Sequence, residues 1–171
     1  MKKIYLAVLF ILSSVSYSFA QNDSSCPCCT ENHTAFDFWI GDWTVYGTDG
    51  KIIGTNKIVK LQDGCVLQEN WKASNKSTTG TSYNFFDSKD NTWNQVWISN
   101  TGNVLNLKGN IRNDGAMVLK SELVKGPKGS YYNQITWLKN SNGSVTQLWD
   151  IINENNEPVS KAFEGIYKKT D

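Results

Sequence analysis

Turn-forming residues interrupt this chain at short, fairly even intervals, and that spacing constrains its fold more than any other feature. Asp49-Gly50, Asp63-Gly64, Asp87-Ser88-Lys89-Asp90, Asn100-Thr101-Gly102, Asn113-Asp114-Gly115, Gly126-Pro127-Lys128-Gly129, Ser141-Asn142-Gly143 and Glu154-Asn155-Asn156-Glu157-Pro158 are all turn chemistry. The runs between them, 52–61, 80–87, 93–99, 103–111, 116–124, 130–138, 144–152 and 159–168, have strand length and alternate with period two. In Cys65-Val66-Leu67-Gln68-Glu69-Asn70-Trp71 one face reads Cys, Leu, Glu, Trp and the other Val, Gln, Asn. With the stretch after Trp43 this makes about ten strands joined by short links, which require antiparallel neighbours. So many twisted strands close into a barrel or split into two layers. The expectation is an all-β, up-and-down antiparallel barrel, with a two-sheet sandwich as the alternative. One short helical turn is expected around 33–40, before the first strand.

The fold begins after a leader. Lys2 and Lys3 precede an apolar run from Ile4 to Leu12, and Ser18-Phe19-Ala20 offers the small residues that a signal peptidase reads. Residues 1–20 are expected to be a signal peptide and 21–171 one domain. The apolar run is too short for a resident span, so the location expected is periplasmic or secreted, without a membrane span. The whole chain has 17 basic and 16 acidic residues. Two of the lysines leave with the leader, and Arg112 is the single arginine. A domain so close to neutral has no footprint for nucleic acid.

Seven Trp, seven Tyr and seven Phe make the chain rich in residues that favour strands and line ligand cavities. Three strands carry a long carboxylate or amide two places before an indole: Glu69 and Trp71, Gln95 and Trp97, Gln147 and Trp149. Each pair shares a strand face, so inward-facing pairs would surround a cavity with flat walls and a few polar fixtures. Asn84 and Phe86 are expected to add to it. In the competing arrangement the indoles fill the core while Glu and Gln sit near the rims. Glu69, a lone carboxylate among indoles, should have its pKa raised by desolvation. It is either a fixed hydrogen-bond acceptor or a general acid/base. A small-molecule binder is the expected function and an enzyme using Glu69 the alternative.

The string Phe36-Asp37-Phe38-Trp39-Ile40-Gly41-Asp42-Trp43 contains Gly41-x-Trp43 where the first strand begins. It resembles the opening of the calycin superfamily: lipocalins, fatty-acid-binding proteins and nitrobindin-like barrels. That resemblance implies that Gly41 lets the chain cross the barrel end, while Trp43 plugs it beneath a basic residue of the last strand, Lys168 or Lys169. Taken with Gly64-Cys65-Val66-Leu67-Gln68-Glu69-Asn70-Trp71, the string is similar to a family of exported bacterial domains. The likeness covers most of the chain after the leader. It implies a lipocalin-like barrel and assigns no activity. Haem of the nitrobindin kind needs a histidine on the barrel, whereas His33, the only histidine, precedes the first strand. No cofactor is expected.

Cys26, Cys28, Cys29 and Cys65 in an exported chain point to disulfides. Cys65 must reach the N-terminal group, with Cys28 or Cys29 favoured as its partner. A leftover pair such as Cys26–Cys29 would close a small, redox-labile ring. The alternative is a structural or metal-handling envelope protein, with Cys26, Cys28, Cys29 and His33 as ligands for Cu(I) or Zn.

Overall fold

The computed structural model describes residues 26–75, 77–127 and 129–170. The leader expected over 1–20 lies outside the described residues. The strands are β1 (Gly41–Tyr46), β2 (Ile52–Leu61), β3 (Val66–Ala73), β4 (Thr79–Asp87), β5 (Thr92–Ser99), β6 (Val104–Ile111), β7 (Met117–Lys120), β8 (Val124–Gly126), β9 (Gly129–Lys139), β10 (Val145–Ile152) and β11 (Pro158–Lys169). All pairings are antiparallel. The order β1 to β7, then β9, β10, β11 and back to β1 closes the sheet on itself. A ten-stranded barrel therefore replaces the sandwich alternative, and closure leaves those ten strands without an open edge.

The run expected as one strand over 116–124 is broken. Lys120 pairs with Gln134 and Val124 with Tyr131, so this side spends one residue more than its partner. The extra residue is a bulge. Ser121 fills it, its Oγ accepting from the Asn133 N–H at 2.9 Å. Beyond the bulge, β8 pairs only with the outer end of β9.

The N-terminal segment forms two short turns where one was expected. Helix α1 (Glu31–Thr34) starts at Thr30, whose Oγ1 accepts from the His33 N–H. A 3₁₀ turn (Asp37–Trp39) then drives Phe36 and Trp39 fully out of solvent. The segment seals one end of the barrel. Trp93 Nε1 donates to Asn32 O at 3.0 Å, and Lys60 pairs with Asp37 at 2.6 Å. Cys28–Cys65 ties the same segment to the start of β3, and Cys26–Cys29 closes locally. The Cys65 staple thus lies at the sealed end, with Cys28, one of the two partners expected for it.

At Gly41 φ is +136°, and a Cβ there would lie 2.0 Å from Lys169 Nζ. Lys169 is the cation over Trp43, 3.9 Å from its ring centroid, and donates to Ile40 O. Lys168 instead lies over Tyr46 on the outside. No helix among the described residues is long and apolar enough to cross a membrane.

Candidate functional site

Alternation gives each strand one inward face, and the barrel stacks those faces in three levels. At the sealed level lie Ile58, Leu67, Trp93, Trp137 and Val145, all buried. Two residues further along their strands come Asn56, Glu69, Gln95 and Gln147, also buried and polar. Ser82 and Asn84 on β4 and Tyr167 on β11 join this middle level. Beyond it the same strands carry Gly54, Trp71, Trp97 and Trp149, with Gly80 on β4 and Phe163 on β11. The three carboxylate-or-amide-before-indole pairs are thus the middle and outer levels of β3, β5 and β10.

The middle level is a hydrogen-bonded belt. Asn56 Nδ2 donates to Glu69 Oε1 at 2.7 Å, and Ser82 Oγ donates to Glu69 Oε2 at 2.6 Å. Asn84 Nδ2 donates to Ser82 Oγ at 2.9 Å and to Leu67 O at 3.1 Å. Gln95 Nε2 donates to Asn84 Oδ1 at 2.8 Å. Across the barrel, Tyr167 Oη donates to Gln147 Oε1. Burial pushes the Glu69 carboxyl above its ordinary range, against the opposing pull of the Ser82 and Asn56 hydrogen bonds. Burial and the nearby Glu69 push the Tyr167 phenol well above its own range, so it stays neutral.

Above the belt lies a cavity of about 210 Å³, lined by Glu69, Gln95 and Gln147 at its floor and by Trp71, Trp97, Trp149, Leu105, Phe163 and others around it. Glycines make the walls flat. A Cβ on Gly54 would lie 2.4 Å from Trp71 Cη2, and one on Gly80 2.6 Å from Trp97 Nε1. Each indole therefore lies across a neighbouring strand that offers no side chain to displace it. Trp71 meets Phe163 edge-on at 5.9 Å, and Trp149 Nε1 donates to Asn133 Oδ1 at 2.9 Å. These indoles are only partly buried, so the cavity reaches the surface at the end opposite the N-terminal seal.

Six of the expected pocket residues, Glu69, Trp71, Gln95, Trp97, Gln147 and Trp149, line this one cavity. Asn84 and Phe86 do not. Both face inward, but Asn84 is a belt member whose amide is consumed by its neighbours, and Phe86 lies at the sealed end against Trp93 and His33. Asn56, Ser82 and Tyr167 went unread in the sequence, although each falls on an inward position of its strand. The thiolates considered for a metal are consumed by the two disulfides, and His33 Nδ1 lies 2.7 Å from Thr30 Oγ1. Among the described residues no cluster of three or more His, Cys, Asp or Glu side chains could hold a metal ion.

No protein-family model matches this sequence, and no curated protein matches it.

Proposed function

We propose that this protein is an exported small-molecule binder that holds its ligand in the cavity above the Glu69 belt. The supporting observation is convergence: residues far apart in sequence, on β3, β5 and β10, place three indoles and three polar groups around one space. An aromatic wall with a few fixed polar groups is the composition of a ligand pocket. At about 210 Å³ the cavity is smaller than the roughly 300–1,000 Å³ of drug-sized pockets. It exceeds the roughly 150 Å³ that accepts benzene, so a single ring with a short substituent fits. Export to the periplasm or outside the cell is supported by the leader-like first twenty residues and by two disulfides. Membership of the calycin-type barrels, in the exported family that the Phe36–Trp43 string resembles, is supported by the closed barrel and by Lys169 over Trp43 beside Gly41.

Intrinsic tryptophan fluorescence tests the binding reading, because Trp71, Trp97 and Trp149 border the cavity. Saturable quenching or a spectral shift by single-ring ligands, lost in Trp71→Ala, is expected. Silence across apolar, aromatic, cationic and anionic panels overturns it. A second reading, an enzyme using Glu69 as acid/base, is favoured by the raised pKa of that carboxyl. It predicts that Glu69→Gln abolishes turnover while leaving ligand affinity nearly intact.

A further inference from the structure

We propose that the cavity selects a small organic cation, a single-ring amine whose ammonium sits at Glu69 and Gln95 and whose ring lies between the indoles. The inference rests on the binding reading above and adds the ligand's charge. It follows first from the direction of the hydrogen bonds. Leu67 O can only accept, so Asn84 must turn Nδ2 toward it and Oδ1 toward Gln95. Gln95 must then answer with Nε2, which leaves its carbonyl Oε1 as the end available to the cavity that it lines. Ser82 Oγ accepts from Asn84 and donates its own hydrogen to Glu69 Oε2. Asn56 delivers a second donor to Oε1. The belt thus aims two donors at the Glu69 carboxyl, an arrangement that accommodates its ionised form, with a carbonyl as its neighbour on the cavity floor.

When ionised, Glu69 has no cation beside it among the described residues. The ion pairs among the described residues join groups that keep contact with solvent, and none includes Glu69. Among the described residues the cavity lining contains no Lys, Arg or His. A buried charge without a partner is costly, and a ligand's ammonium would supply one. Trp71, Trp97, Trp149, Phe163 and Tyr167 supply ring faces, which attract cations most strongly where water is excluded. A carboxylate ligand would meet the Glu69 charge and the Gln95 carbonyl, both repulsive to it. Gln147 adds one donor, Nε2, because its oxygen is taken by Tyr167. It suits a hydroxyl or ether oxygen on the body of the ligand.

The test compares three probes of one shape on the disulfide-bonded protein: phenethylamine, 2-phenylethanol and phenylacetate, with neutral indole as a fourth, each titrated by isothermal calorimetry. The amine should bind about ten-fold or more tighter than the alcohol, on the scale of a desolvated cation–π contact, and the acid should not bind. In Glu69→Gln the amine should lose that advantage while the alcohol's affinity holds. The wild-type ranking stands by itself should the variant fail to fold. An alcohol or indole that binds as tightly as the amine overturns the cation while leaving the binder intact. Silence from all four overturns both.

Discussion

The sealed and open ends of this barrel use the same kind of residue to opposite effect. At the sealed end the Phe36 ring centroid lies 5.0 Å from Trp39, 5.1 Å from Trp137 and 5.6 Å from Trp93. At the open end Trp71 meets Phe163 at 5.9 Å, and Trp71 and Trp97 lie across glycines. The difference is what enters. The N-terminal segment inserts two aromatic side chains at one end and is pinned there by a disulfide, an ion pair and an indole hydrogen bond. Among the described residues the other end receives no such insert, and glycines take the place of side chains that would fill it. Aromatic content alone therefore makes neither a core nor a pocket; the third dimension of filling decides.

The comparison breaks most easily on its tryptophans. Trp137 is fully buried, so Trp137→Ala should cost about 3–5 kcal/mol of unfolding free energy, read from the urea midpoint. Trp71→Ala should cost clearly less while abolishing ligand-dependent fluorescence. Equal losses at both positions would mean that the open end is core after all.

The two disulfides sharpen the same contrast. Cys28–Cys65 closes a separation of 37 residues and Cys26–Cys29 one of 3. From loop entropy, replacing the long-range pair with serines should cost about 4 kcal/mol, against about 1.5 kcal/mol for the local pair. Chemical denaturation of the two double variants checks the order.

Gly80→Ala should cost about 1–3 kcal/mol as overpacking. It pushes the Trp97 indole off its seat, so binding should weaken and the emission maximum should move. A Gly80→Ala protein that binds as the wild type does would remove glycine from the account of the walls.

The smallest expected effect is a dependence on pH. The folded protein holds the Glu69 proton more tightly than the unfolded chain does, because burial raises its pKa above the ordinary 4.5. Below that value both states are protonated and this contribution is complete. As pH rises through the interval up to the folded pKa, the unfolded state releases its proton first and stability falls. The slope from one group is at most about 1.4 kcal/mol per pH unit. Glu69→Gln should flatten that part of the profile, measured by denaturation between pH 4 and 8 (about the range in which a raised carboxyl titrates). An unchanged slope would mean that Glu69 is solvated, and the cavity floor with it.

Much of this barrel was legible beforehand because alternation is a local property. The run 52–61 matches β2 residue for residue, and the inward sets of β3, β5 and β10 follow from period two. The bulge at Ser121 was not legible, since it appears only when Lys120 and Val124 are matched to Gln134 and Tyr131. Asn84 and Phe86 were placed on the correct face and at the wrong height. Tyr167 and Asn56 were missed because neither precedes an indole on its own strand, and they join Gln147 and Glu69 through the register of the β10–β11 and β2–β3 pairings.

By itself the sequence determined where the chain turns, which side chains share a strand face and that the cysteines pair, because turn chemistry, period two and oxidation need only near neighbours or composition. The tertiary structure decided how high each inward residue stands, which barrel end the N-terminal segment seals, and that Glu69 shares a floor with Gln95 and Gln147. Height along a barrel is set by inter-strand register and closure, which bring together residues that no window of sequence contains.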